Sequence, residues 1–71
     1  MNDQEIARVQ AYLRGRFNLE TIVLKRVGKS DCVEMYIEDE FVATINRDDE
    51  DGDVSYALNM AILDFDLPEV P

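Results

Sequence analysis

Residues 32–46 read Cys32-Val33-Glu34-Met35-Tyr36-Ile37-Glu38-Asp39-Glu40-Phe41-Val42-Ala43-Thr44-Ile45-Asn46. Two runs rich in β-branched and aromatic side chains, 32–37 and 41–46, flank the acidic tripeptide Glu38-Asp39-Glu40, which is the pattern of two strands joined by a short turn. The pairing register stays open in the sequence. A two-residue turn pairs Ile37 with Glu40 and puts Phe41 on the face of Tyr36, whereas a three-residue turn pairs Ile37 with Phe41. Either register leaves one strongly apolar face and one mixed face bearing residues such as Glu34, Thr44 and Asn59.

Working outward toward the N-terminus, residues 21–26 read as another strand, joined to the hairpin by the turn Gly28-Lys29-Ser30-Asp31. Before it, Ile6, Val9, Leu13 and Phe17 recur at helical spacing, so residues 3–16 read as an amphipathic helix whose apolar stripe Ala11 and Tyr12 widen. Asn2 or Asp3 caps its start, and Glu5, three residues after Asn2, completes a capping box. Arg14 and Arg16 suit the negative end of the helix dipole. Gly15 weakens the last turn, and Phe17-Asn18-Leu19 leads out of it.

Toward the C-terminus, residues 47–53, ending in Asp51-Gly52-Asp53, form the next turn. Segment 54–67 fits two periods. Val54, Leu58, Ala61, Ile62 and Phe65 suit a helix, while Tyr56, Leu58, Met60 and Ile62 alternate as in a strand. The Asp-Gly cue between apolar runs favours the strand. The expected fold is α+β, an N-terminal amphipathic helix packed on a small antiparallel β-meander of about four strands. Residues 1–67 make one small domain, and 68–71, with Pro68 and Pro71, a frayed C-terminal tail.

Charge is divided along the chain. Residues 1–30 hold six basic side chains against three acids, whereas residues 31–71 hold Arg47 alone against thirteen acids, for a net charge of −9 over 71 residues. A field of this sign repels nucleic acid and anionic membranes and attracts cationic partners, so nucleic-acid and membrane binding are not expected. No apolar run approaches the roughly 20 residues of a membrane span, and the polar, acidic start does not read as a secretory signal, so a cytoplasmic location is expected. Cys32 is the single cysteine and histidine is absent. An internal disulfide is therefore impossible, and the commonest general base is missing. Cys32 next to Asp31 lacks the neighbouring cation that makes a nucleophilic thiolate. The other carboxylates cluster in solvated turns rather than in an apolar pocket. No enzymatic activity and no cofactor are expected.

The quoted hairpin, together with the opening residues 5–14, the run 48–56 and Met60-Ala61-Ile62-Leu63, resembles the short alphaproteobacterial proteins of domain of unknown function 3126. The resemblance covers nearly the whole chain. It implies a small, free-standing bacterial cytoplasmic protein and brings no reaction, ligand or catalytic residue. Such proteins tend to have glycine in the middle turn, where this chain has Glu38.

The acidic loop Asp48-Asp49-Glu50-Asp51-Gly52-Asp53 is the densest chemical feature. Asp49, Asp51 and Asp53 are candidate metal ligands for a hard cation such as calcium or magnesium, although an EF-hand does not fit, since Gly52 at its sixth position puts Arg47 at the first and Leu58 at the last. The plainer reading is a solvated loop that keeps a sheet edge soluble. The acids of residues 38–53 also permit a nucleic-acid mimic that occupies a basic groove on another protein. The favoured expectation is a protein–protein interaction or regulatory module with an unidentified, basic partner. Its contact residues are Tyr36, Val42 and Leu63 on the mixed sheet face and Asp48, Asp49, Glu50 and Asp51 in the loop, and a homodimer through that face is the further option.

Overall fold

Helix α1, Asp3–Phe17, starts where its sequence says it can. The Asn2 side chain accepts from the Glu5 backbone N–H at 2.7 Å, and the Glu5 carboxylate accepts from the Asn2 N–H at 3.0 Å, a reciprocal capping box. The helix stops at Asn18, whose φ of 52° lies in the left-handed region that asparagine tolerates. The computed structural model describes residues 1–28 and 31–71, so Lys29 and Ser30 of the expected first turn lie outside the described residues.

Four strands follow: β1 Ile22–Arg26, β2 Cys32–Ile37, β3 Glu40–Asp48 and β4 Ser55–Asn59. They form one sheet in sequential order with every neighbour antiparallel, which is the expected α+β meander. Between β2 and β3 the turn holds two residues, and Ile37 faces Glu40 while Tyr36 faces Phe41. Glu38 and Asp39 both have positive φ, 51° and 68°, as a type I′ hairpin demands. The right-handed twist of the strands selects that turn even though neither residue is glycine.

One step farther along, Met35 faces Ala43, so Val42 is an extra residue that bulges β3. The two-residue turn, by pairing Phe41 with Tyr36, puts Val42 on the opposite face rather than the expected mixed one, where it packs half-buried against the core, and the bulge then keeps Ala43 and Ile45 on that same core face. The bulge lies just past Thr44↔Asn59, the last pair between β3 and β4. Here the structure differs from the strand expected over 54–67. Beyond Asn59 the chain leaves the sheet, stays extended, and makes one 3-10 turn at Asp64–Asp66.

The sheet face under α1 carries Ile22, Leu24, Val33, Met35, Ala43 and Ile45, all buried, and Leu13 is the one buried residue of the helix. Met1, Ile6, Val9, Leu19 and Ile37 close around them. Among the described residues, all seven buried ones lie before position 46. Within the described residues no helix is long and apolar enough to cross a membrane.

Because two L-residues are held at positive φ in the middle turn, replacing them with the pair that favours it relieves strain. Glu38→Asn combined with Asp39→Gly is expected to raise stability by about 1 kcal/mol, seen as a higher urea midpoint with an unchanged slope.

Candidate functional site

Helix α1 lies closest to β1, and side chains of its first turn reach both β1 and the far strands. The Asp3 carboxylate takes a hydrogen bond from Arg26 of β1 at 2.6 Å. Glu5 reaches the other way, accepting at Oε2 from Arg47 Nε of β3 at 2.7 Å and from the Tyr56 hydroxyl of β4 at 2.8 Å. The helix then runs along the outer edge of β1. Gln10 accepts from the Leu24 N–H and Arg14 donates to the Ile22 carbonyl, each at 2.9 Å. These two side chains, one helical turn apart, satisfy backbone groups that an edge strand otherwise presents to solvent.

Fastened in this way, α1 leaves the β4 part of the apolar face, Tyr56 and Leu58, partly open. A groove of about 370 Å³ results, with Val9, Tyr12 and Leu13 forming one wall, Ile45 and Leu58 opposite, and Arg8 and Tyr56 completing the lining. Tyr12 is 65% exposed and Leu58 40% exposed, although both belong to faces that point toward the layer between helix and sheet. The groove is apolar with polar ends, the composition of a binding surface.

The residues expected to form a contact face are not brought together. Tyr36 does lie on the sheet face opposite α1, where its ring meets Phe41 edge-on at 5.9 Å, Lys25 Nζ sits 4.4 Å above it, and its hydroxyl donates to Glu34. Val42 lies on the opposite face, half-buried against the core, and Leu63 stands beyond β4 on the departing tail. The acids Asp48, Asp49, Glu50, Asp51 and Asp53 are all exposed. Asp49 accepts from Arg47 at 2.9 Å, and Asp48 accepts from the Glu50 N–H at 3.0 Å. Among the described residues no group of three or more His, Cys, Asp or Glu side chains is arranged to hold a metal ion.

Arg47 therefore bridges the acidic loop to Glu5, and Glu5 bridges to Tyr56 at the groove. Sequence reading recognised Glu5 only as a capping residue. Its longer-range role depends on Arg47 being opposite Tyr56 in the β3–β4 register, which no local pattern contains. Tyr12 was legible as a widening of the helical stripe, the one signal in the sequence that α1 has more apolar surface than its sheet covers.

The Glu5 carboxyl is held down at a pKa of about 2 rather than near 4.5, chiefly by the Asn2 N–H, then by the Tyr56 hydroxyl and Arg47. Asp31 is also lowered, by the Met1 ammonium 2.8 Å away. A carboxyl depressed on folding stabilises the native state above its unfolded pKa and loses that contribution as pH falls through its folded pKa. Thermal unfolding should therefore show stability declining from pH about 4.5 toward 2. Glu5→Gln is expected to be less stable at neutral pH and to have a shallower decline across that interval.

No curated protein and no solved structure matches the chain. A family model described as a protein of unknown function, DUF3126, matches residues 5–66, a span that contains α1, the whole sheet, the acidic loop and the 3-10 turn. With most of its length inside that match, the chain belongs to the DUF3126 family.

Proposed function

We propose that this chain is a non-catalytic protein-binding or regulatory module of the cytoplasm that holds its partner in the groove between α1 and β3–β4. The observation that carries this reading is the groove itself, an apolar channel with the exposed ring of Tyr12 on one wall and the half-open Leu58 on the other. Aromatic side chains at the centre of such a surface contribute large contact area at small entropic cost, which is why they dominate binding energy at interfaces. Beside the groove, Arg47 links Tyr56 and Glu5 to the loop that begins at Asp49. That loop adds selection by charge, favouring a cationic rim on the partner and accelerating encounter at low salt.

Several features support the absence of catalysis. Glu5, the carboxyl that reaches from the helix to β3 and β4, is held ionised by three hydrogen bonds, the reverse of what a general acid requires. A single cysteine and no histidine fit a reducing compartment and chemistry confined to contact.

Capture of partners from a lysate of the source cell tests the reading, with immobilised wild type compared with Leu58→Glu and with Asp49→Asn/Asp51→Asn. The expected outcome is a stoichiometric protein retained by wild type at about 0.5 M salt, where long-range charge effects are screened. Leu58→Glu should lose it. The loop variant should weaken capture at low salt only. A partner held equally by wild type and Leu58→Glu would remove the groove from the mechanism.

A further inference from the structure

We infer that the occupant of the groove is the C-terminal segment of a second copy of this chain, so that two copies exchange residues 60–71 and close a symmetric dimer. The inference rests on the groove of the binding reading above and names its occupant, while the cationic contact of the acidic loop is a separate surface. From Met60 onward the chain holds Ile62, Leu63, Phe65, Leu67 and Val70, every one exposed, with Phe65 82% and Val70 80% accessible. This is not a polar tail. Its one turn is internally formed, by the Asp66 N–H to the Leu63 carbonyl at 2.9 Å and the Leu67 N–H to the Asp64 carbonyl at 3.1 Å, so it presents Phe65 without leaning on the domain.

Size gives the second argument. A compact monomer of 8.2 kDa exposes roughly 4,500 Å², whereas this chain exposes 5756 Å². The excess, about 1,200 Å² per copy, doubles to the scale of a stable dimer interface, which buries on the order of 1,200 to 2,000 Å² or more. The molecule is also elongated, 46 × 25 × 23 Å with a radius of gyration of 13.7 Å, against about 11 Å for a compact chain of this length. Both excesses have one source, a projecting apolar segment beside an unfilled apolar groove.

A second copy fits better than an unrelated protein because each chain carries one groove and one segment. Exchange satisfies both at once and closes at two, while any other partner in the groove leaves the segment exposed. The chain's own segment does not fill the groove, which among the described residues is lined by nothing beyond Leu58. Local charge agrees, since Arg8 borders the groove and the segment brings Asp64 and Asp66. The net charge of −9 per copy opposes association, so the dimer depends on apolar burial and persists when salt is raised.

Sedimentation equilibrium of the full chain at about 100 µM is the test. The expected wild-type mass is twice 8.2 kDa, unchanged at high salt. Ile62→Asp and Phe65→Asp, both outside the core, should each give a single-chain mass with an unaltered circular dichroism spectrum. A photo-crosslinker at position 65 in a mixture of light and isotopically heavy copies should join light to heavy chains, at peptides of α1 or β4. A single-chain wild-type mass, a dimer indifferent to both substitutions, or crosslinks confined to chains of the same isotope each overturns the exchange. The binding reading is judged separately by the Leu58→Glu capture, so a monomer that still holds a partner through Leu58 sinks the exchange alone.

Discussion

The Glu5 carboxylate ties the helix to the far side of the sheet. Glu5 closes the first turn of α1 through Asn2 and, with its other oxygen, receives Arg47 from β3 and Tyr56 from β4. Charge-assisted bonds of this kind are short and directional, and three of them on one group couple the start of the helix to the outer half of the sheet. Where Glu5 is held, the entry of α1 is set. Gln10 and Arg14 then draw the remaining turns onto the edge of β1.

Unequal coverage follows from that arrangement. One helix about 10 Å across cannot lie over four strands spaced about 4.8 Å apart. Placed over β1, it protects one sheet edge and seals the core formed by Ile22, Leu24, Val33 and Met35. The cost falls on the other side, where Leu58 and Tyr56 of β4 stay partly open and the outer edge of β4 has no neighbouring strand. In so small a domain, surface of this kind is a large share of the total apolar area, so its occupant bears on stability as well as on recognition.

Different parts of this structure were legible to different degrees. The capping box at Asn2 and Glu5 and the helical stripe are local, and both formed as the residues imply. The hairpin between β2 and β3 was legible in kind but not in register, because Glu38 and Asp39 lack the glycine that announces a type I′ turn. Strand twist imposed positive φ on them regardless. Val42 belongs to the mixed face only if the turn holds three residues, so the two-residue turn moved it to the core side, and the bulge, which alternation has no means of anticipating, shifts parity from Ala43 on. Leu63 lies outside the expected face because pairing between β3 and β4 ends beside the bulge, at Thr44↔Asn59, while the apolar pattern continues past the end of the sheet. The acidic loop was located correctly, while the groove escaped notice because its walls come from positions 8–13, 45 and 56–58, which only the fold brings together.

The amino-acid sequence by itself determined the order of elements, the apolar faces and the uneven charge, because periodicity, capping and turn chemistry act over a few residues. Tertiary structure alone decided which surface stays open. That outcome depends on Glu5 meeting Arg47 and Tyr56 across more than forty positions, and on Gln10 and Arg14 finding the free backbone groups of β1. Contacts of that range leave no periodic trace in the chain, since each is a coincidence of register between elements whose patterns are independent of one another.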